Sequence, residues 1–324
     1  MCTAMTYQSK DFYFGRTLDH DRTYGEEIVI LPRRFPLPFC HLSTQNVHYA
    51  WIGMAHVAEG IPLFYDAFNE KGLAIAALHF VGFTTYGKPR ADRVNIAGFE
   101  LIPWLLGQCS CIYEVREQLA RMQLTDDAFS AQLPPSPLHW LVADRHEAIV
   151  VECTADGLHV YENPVGVLTN APPFPQQLFS LHNHMHLSAH SPKNTFCRDL
   201  PLQPYSLGMG ALGLPGDWSS PSRFVRAVFA KCNTVAADTE TDNVNQFFHL
   251  LGTVDLPRGC CAVDPGGYQS TVYTSCCNVS KGIYYYTTYG NHQISAVHLH
   301  HAPLDAAQFV RFTPICMEQM YMHN

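Results

Sequence analysis

With 324 residues, 47% of them hydrophobic and only 15% charged, the chain can bury a large core as a single β-rich domain spanning residues 1–324. A net charge of −8 without any basic run excludes nucleic acid as the main partner. The longest apolar runs, such as Leu73–Val81 with His79 inside it, are too short for insertion into a membrane.

Along the chain, Cys2 comes first. It follows Met1 directly, and a side chain this small permits removal of the initiator methionine. Cys2 then carries a thiol nucleophile and a free α-amine, with a reference pKa of about 8, on one residue. The amine can take the thiol proton directly or through one water. Thr3–Gln8 and Phe12–Leu18 read as a hairpin turning at Ser9–Lys10–Asp11, followed by strands at Glu27–Leu31 and Val47–Ile52. Phe64–Phe68 and Leu73–Phe80 flank the turn Asn69–Gly72. Apolar spacing predicts a helix over Ile96–Leu106, and Ser110 caps another running to about Met122. A meander covers Leu138–Ala143, Ala148–Cys153, Leu158–Tyr161 and Gly166–Leu168. Ser220 or Ser222 opens a helix to about Val235, and Asp242 caps a short one over Asn243–Leu251. Three last strands, Thr271–Val279, Gly282–Thr288 and Gln293–Leu299, turn at Ser280–Lys281 and Gly290–Asn291. Strand clusters separated by helix pairs predict an α+β fold of two stacked antiparallel sheets covered by helices. The Pro-rich stretches at Pro32–Pro38, Pro134–Pro137 and Pro172–Pro175 read as loop punctuation, with the alternative that some of them shape a pocket.

No signal-peptide pattern is seen, so a cytoplasmic location is expected and the twelve cysteines are expected as free thiols. Neither the adjacent pairs Cys260–Cys261 and Cys276–Cys277 nor Cys109 and Cys111 has zinc or redox spacing.

The first hairpin returns Phe14-Gly15-Arg16-Thr17-Leu18-Asp19 alongside Cys2. A guanidinium near sulfur favours thiolate, and a carboxylate near the α-amine can orient it. These residues, together with Asn69-Glu70-Lys71-Gly72-Leu73, Leu138-His139-Trp140, Gly166-Val167-Leu168-Thr169-Asn170, Gly213-Leu214-Pro215-Gly216-Asp217 with Ser222-Arg223-Phe224, Tyr273-Thr274-Ser275-Cys276 and Lys281-Gly282-Ile283-Tyr284-Tyr285-Tyr286, resemble the choloylglycine hydrolase family of bile salt hydrolases and penicillin V acylases, within the N-terminal-nucleophile hydrolases. The motifs keep the family order over nearly the whole chain.

The resemblance implies a four-layer αββα sandwich and a homotetramer. It implies hydrolysis of the amide of conjugated bile acids through a thioester, with no cofactor and no metal. Cys2 matches the nucleophile once Met1 is removed. Arg16 and Asp19 match the partners of thiol and amine. Asn170 matches the side-chain donor of the oxyanion hole, and Arg223 the arginine of the site network. His79 departs from the pattern, standing where bile salt hydrolases generally have Asn and penicillin V acylases often have Tyr; a main-chain N–H there still serves the oxyanion hole. Loops that surround the nucleophile in the family match Leu18, Phe64, Tyr65, Phe129 and Leu133 here, which the resemblance nominates as an apolar substrate cleft. An anionic substrate tail could meet Arg16, Arg223 or a histidine. Penicillin V acylase and N-acyl-homoserine lactone acylase activity use the same catalytic set. A different class of reading rests on the histidines: His182, His184, His186 and His190, and His298, His300 and His301, suggest a metal-binding or non-catalytic scaffold, though without an H-E-x-x-H signature.

Overall fold

The computed structural model describes residues 1–324. Its first sheet is antiparallel throughout, in the order Val167–Leu168, Cys2–Gln8, Phe12–His20, Ser270–Asn278, Ile283–Thr288, Asn291–His298. The second, also antiparallel, runs Gly157–Glu162, Ala148–Thr154, Leu138–Ala143, Ala74–His79, Ile61–Asn69, Trp51–Ala58, Glu26–Leu31, Val310–Phe312. Helices Ser220–Asn233 and Glu240–Gly252 cover the outer face of the first sheet through Phe224, Val244, Phe247 and Leu251. Leu101–Gln108 and Ile112–Arg121 cover the second through Leu101, Leu105, Ile112 and Val115. The layers are therefore αββα.

Both sheets are covered on both faces, which is why their inner strands are buried at consecutive positions rather than alternate ones; all but the last residue of Cys2–Gln8 is buried. Polar side chains in such a sandwich need internal partners. Asp66 of the second sheet accepts from Tyr273 Oη (2.5 Å), Tyr284 Oη (2.9 Å) and Ser275 Oγ (3.0 Å) of the first, joining the sheets beneath Arg16.

The predicted hairpins and meanders are present, with several shifts. The strand expected at Val47–Ile52 begins only at Trp51 and runs to Ala58. It turns at Glu59 and Gly60, both in the left-handed region (φ 50° and 79°), into Ile61–Asn69. That two-residue turn sets the register, Ala58 opposite Ile61. The helix expected from Ile96 begins at Leu101, because Val94–Ala97 is a strand paired in parallel with Met122–Thr125. Ser110 is not a cap; Cys111 holds that position, and Ser110 donates to Glu114 Oε2 (2.9 Å). Asp242 is not a cap either: Thr239 accepts from the Asp242 N–H (3.2 Å) and starts the helix three residues earlier. Pro175 sits in the first turn of an unpredicted helix, Phe174–Ser180, where a missing N–H costs nothing. No helix is long and apolar enough to cross a membrane.

Candidate active site

The first hairpin places Cys2 opposite Leu18 and Ala4 opposite Arg16. Alternation decides which way each residue faces. Gly15 lies against the helix layer, where a Cβ would come within 2.1 Å of the Ser275 carbonyl oxygen and 2.8 Å of Phe247. Its neighbour Arg16 therefore turns toward the second sheet. There the buried guanidinium donates through Nε to Thr17 O (3.2 Å), and through Nη1 to Tyr65 O (3.1 Å) and Ala77 O. Nη2 is buried without a partner. Burial acts to lower the Arg16 pKa, but the neighbouring Cys2, Tyr273, Asp66 and Asp19 outweigh it and raise it.

Asp19 closes the same hairpin. Met1 and Asp19 exchange main-chain hydrogen bonds, Met1 N to Asp19 O (2.8 Å) and Asp19 N to Met1 O (2.9 Å), and Met1 N also donates to Gln269 Oε1 (2.7 Å). Asp19 Oδ1 accepts from Thr271 Oγ1 (2.7 Å), while Oδ2 is buried with no partner. Burial holds this carboxyl above the usual carboxylate range, against the pull of Arg223, the N-terminal charge, Thr271 and Arg16.

Two distant segments complete the cluster. Cys2 N donates to Asn170 Oδ1 (2.8 Å), and Arg223 Nη2 donates to the same oxygen (2.7 Å). Arg223 Nη1 reaches Cys2 O (2.5 Å) and Thr3 Oγ1 (2.6 Å), and Nε reaches Trp218 O (3.0 Å). With Oδ1 held on two sides, the Asn170 amide points Nδ2 at His79 O (2.8 Å), leaving one Nδ2 hydrogen for another acceptor. Cys2, Arg16, Asp19, Asn170 and Arg223 are thus brought together, and His79 meets them through its carbonyl.

Cys2 opens onto a cleft of about 400 Å³. The five nominated wall residues, Leu18, Phe64, Tyr65, Phe129 and Leu133, all line it. Ile102, Leu138 and Trp140, not nominated as walls from the sequence, line it too, and Pro134–Pro137 shapes it, the alternative given for the Pro-rich stretches. Arg223 is fully buried and lies outside the lining, with four of its five guanidinium hydrogens on Trp218, Cys2, Thr3 and Asn170, so it does not face the cleft to meet a substrate anion. His20, His56 and His79 face the cleft, with the His20 and His79 rings 6.0 Å apart.

Burial, then the N-terminal charge, His20 and Arg16, lowers the His79 pKa to about 4, so the folded protein keeps this ring neutral. An exposed histidine in the unfolded chain titrates near 6.5. Above pH 6.5 both states are neutral; between 6.5 and 4 only the unfolded chain takes up the proton, and stability falls with pH. The loss levels off below pH 4 at no more than about 3 kcal/mol. Denaturant unfolding at pH 7 and pH 4 is expected to show this component in the wild type and not in His79→Asn; equal losses in both proteins would exclude His79 as its source.

All twelve cysteines are free. Burial, the largest cause for each, pushes Cys109 up to about 12 and Cys153 up to about 11, which keeps these thiols protonated and inert. The histidine groups form no metal set: no three His, Cys, Asp or Glu side chains gather as ligands, and His298 stacks on His301 at 4.4 Å.

Residues 2–312 match the model of the linear amide C–N hydrolases, choloylglycine hydrolase family. A bile salt hydrolase/transferase from Lactiplantibacillus plantarum is 51% identical over 321 residues, covering 99% of each chain. The structure of a variant of the conjugated bile acid hydrolase from Clostridium perfringens superposes with a TM-score of 0.93 over 100% of both chains, at 31% identity. Penicillin V acylase from Agrobacterium tumefaciens shares the fold, with a TM-score of 0.76 at 17% identity over 96% of this chain and 91% of that one.

Proposed function

The chain belongs to the choloylglycine hydrolase family of linear amide C–N hydrolases, and from that membership we propose that it hydrolyses the amide of glycine- and taurine-conjugated bile acids at Cys2, after loss of Met1. One observation carries the reading: Cys2 lines a cleft whose walls are more apolar than polar, and the hairpin strand paired with it carries buried Arg16 and buried Asp19, whose Oδ2 is unpartnered. The cleft suits a rigid apolar acyl group with few polar contacts.

In the proposed reaction the freed α-amine of Cys2 accepts the thiol proton as sulfur attacks the amide carbonyl. The C–S bond forms and the carbonyl oxygen becomes an oxyanion. The second Nδ2 hydrogen of Asn170 and the main-chain N–H at His79 stabilise that charge. Collapse breaks the C–N bond, and the α-ammonium passes its proton to the leaving amine. Water then attacks the thioester with the same amine as base, releasing the free acid and restoring the thiol. Asp19 Oδ2 holds the ammonium form in place; Arg16 compensates charge on sulfur. Arg223 fixes the orientation of Asn170.

Amino-acid release from glycocholate and taurocholate, with penicillin V in parallel, tests the reading. Rapid release of glycine or taurine from the wild type and none from Cys2→Ala is expected. Rapid penicillin V cleavage with slow release from both conjugates would move the substrate assignment to the acylase side.

Two further assignments belong to this proposal. Twelve free cysteines support a cytoplasmic location. Exposed apolar residues on the segment after the helix Phe174–Ser180, including Met185 at 80%, Phe196 at 88% and Leu207 at 95% exposure, support burial between copies of the chain in a homotetramer. Sedimentation equilibrium is expected to give four chains, and replacing Phe196 and Leu207 by Ser is expected to lower that number.

A further inference from the structure

The segment that carries Asn170 is gripped at both ends by one buried pair of polar side chains. His139 and Glu152 face each other across adjacent strands of the second sheet, both 0% exposed, with His139 Nδ1 3.0 Å from Glu152 Oε1. The other ring nitrogen, Nε2, lies 2.9 Å from Thr169 O, the carbonyl immediately before Asn170. Thr169 O can only accept, so Nε2 carries a hydrogen and donates to it, while Nδ1 shares a hydrogen bond with the Glu152 carboxyl. Glu152 also accepts from the Phe174 N–H (3.1 and 3.3 Å to its two oxygens), just past Asn170 on the other side. These two side chains therefore hold residues 169 and 174 from the second sheet. The Phe80 ring stacks on His139 at 4.4 Å with 4° between planes, and Phe80 follows His79, whose carbonyl orients the Asn170 amide. Ser220 Oγ on Asn170 N (2.8 Å) and Gln177 Nε2 on Asn170 O complete the frame.

A buried polar pair is a poor device for stability alone, because desolvating its groups consumes most of what their hydrogen bonds return. What this pair does supply is direction. Its two hydrogen bonds leave the sheet and end on the short segment between the strand Val167–Leu168 and the helix Phe174–Ser180.

We infer that the His139–Glu152 pair is a positioning device for the amide hydrolysis, holding the Asn170 amide at the place where negative charge develops, although neither residue touches the substrate cleft. The inference rests on the proposed role of Asn170 as an oxyanion donor. Displacing a catalytic group by about 1 Å costs on the order of 10²-fold in rate. His139→Leu, which cannot donate to Thr169 O, is accordingly expected to lower kcat for glycocholate about 10- to 100-fold while KM moves less than about threefold. His139→Gln, whose amide can donate to Thr169 O, is expected to recover most of that loss.

The decisive experiment is a double-mutant cycle of His139→Leu with Asn170→Ala, with kcat read well below the unfolding temperature of each variant. If His139 acts through Asn170, the double variant is no slower than Asn170→Ala alone. Additive losses, or a His139→Leu enzyme that is less stable but keeps its kcat, would overturn the inference. If His139→Leu does not fold, His139→Asn, too short to span the same gap, enters the cycle in its place. An unchanged kcat in Asn170→Ala would instead remove the oxyanion role of Asn170, and the two failures are told apart by that single variant.

Discussion

A chain extended ahead of Cys2 is expected to fold, to be inert, and to become active when a protease removes the extension and leaves Cys2 first. The amide nitrogen of a Met1–Cys2 peptide bond has its lone pair delocalised and cannot accept the thiol proton. Removing a positioned general base of this kind costs about 10²- to 10⁴-fold. The second hydrolytic step needs the same base, so no slower route through the thioester replaces it. Folding is spared because Cys2 is held by its strand partner Leu18 and by Asn170 and Arg223, none of which requires a free terminus. Met1 adds only the main-chain exchange with Asp19 and the contact with Gln269, and both ends of that exchange are released on cleavage. Intact mass before and after cleavage, with glycine release from glycocholate on the same samples, reads the result directly. Turnover by the extended chain at the rate of the cleaved one would sink the α-amine mechanism.

The part of the site that is local in sequence was legible without any tertiary information. Cys2, Arg16 and Asp19 lie within one hairpin, and once its turn at Ser9–Lys10–Asp11 is recognised the two-residue periodicity of strands places all three. Asn170 and Arg223 are different. They stand 168 and 221 residues from Cys2 and meet it only because two sheets and a helix pack in a particular order. No spacing rule reaches that far, and they were found through motif resemblance alone. The grip of His139 and Glu152 on the Asn170 segment went unseen for the same reason: a histidine inside an apolar strand gives no sign of what lies above the sheet.

The fold shows the same division. Hairpins with short turns were read closely, as at Ser280–Lys281. The strand Val94–Ala97 went unread, its second half taken into the helix from Ile96, because its parallel partner, Met122–Thr125, lies on the far side of two helices, and four residues carry too little pattern to announce such a pairing. The strand at Trp51 was begun too early because Val47 is apolar, yet Val47 is 75% exposed; pairing with Glu26–Leu31 starts only at Trp51, opposite Leu31. Cleft walls such as Ile102 and Trp140 looked like ordinary core, since a side chain facing a cavity between elements has the same sequence signature as one facing a neighbour.

Asn170→Ala is expected to lower kcat by about 10²- to 10³-fold with little change in KM, the cost of removing one oxyanion donor. The direction follows from how the amide is held. Cys2 N–H and Arg223 Nη2 both donate to Oδ1, so the opposite rotamer, with Nδ2 turned inward, would set N–H against N–H. One Nδ2 hydrogen goes to His79 O, and the remaining one is already committed in direction before substrate arrives. Such a donor has little to gain from a ground-state carbonyl and most from the oxyanion, which puts its effect in kcat. Asn170→Asp makes the sharper comparison. It keeps the oxygen that Arg223 and Cys2 hold but replaces the donor by an acceptor, and it brings negative charge toward the oxyanion. It is therefore expected to be slower than Asn170→Ala, although it is closer in shape to the wild type. Single-turnover rates of thioester formation separate the cases: if Asn170→Asp outpaces Asn170→Ala, the residue is holding the main chain through Oδ1 rather than stabilising charge through Nδ2.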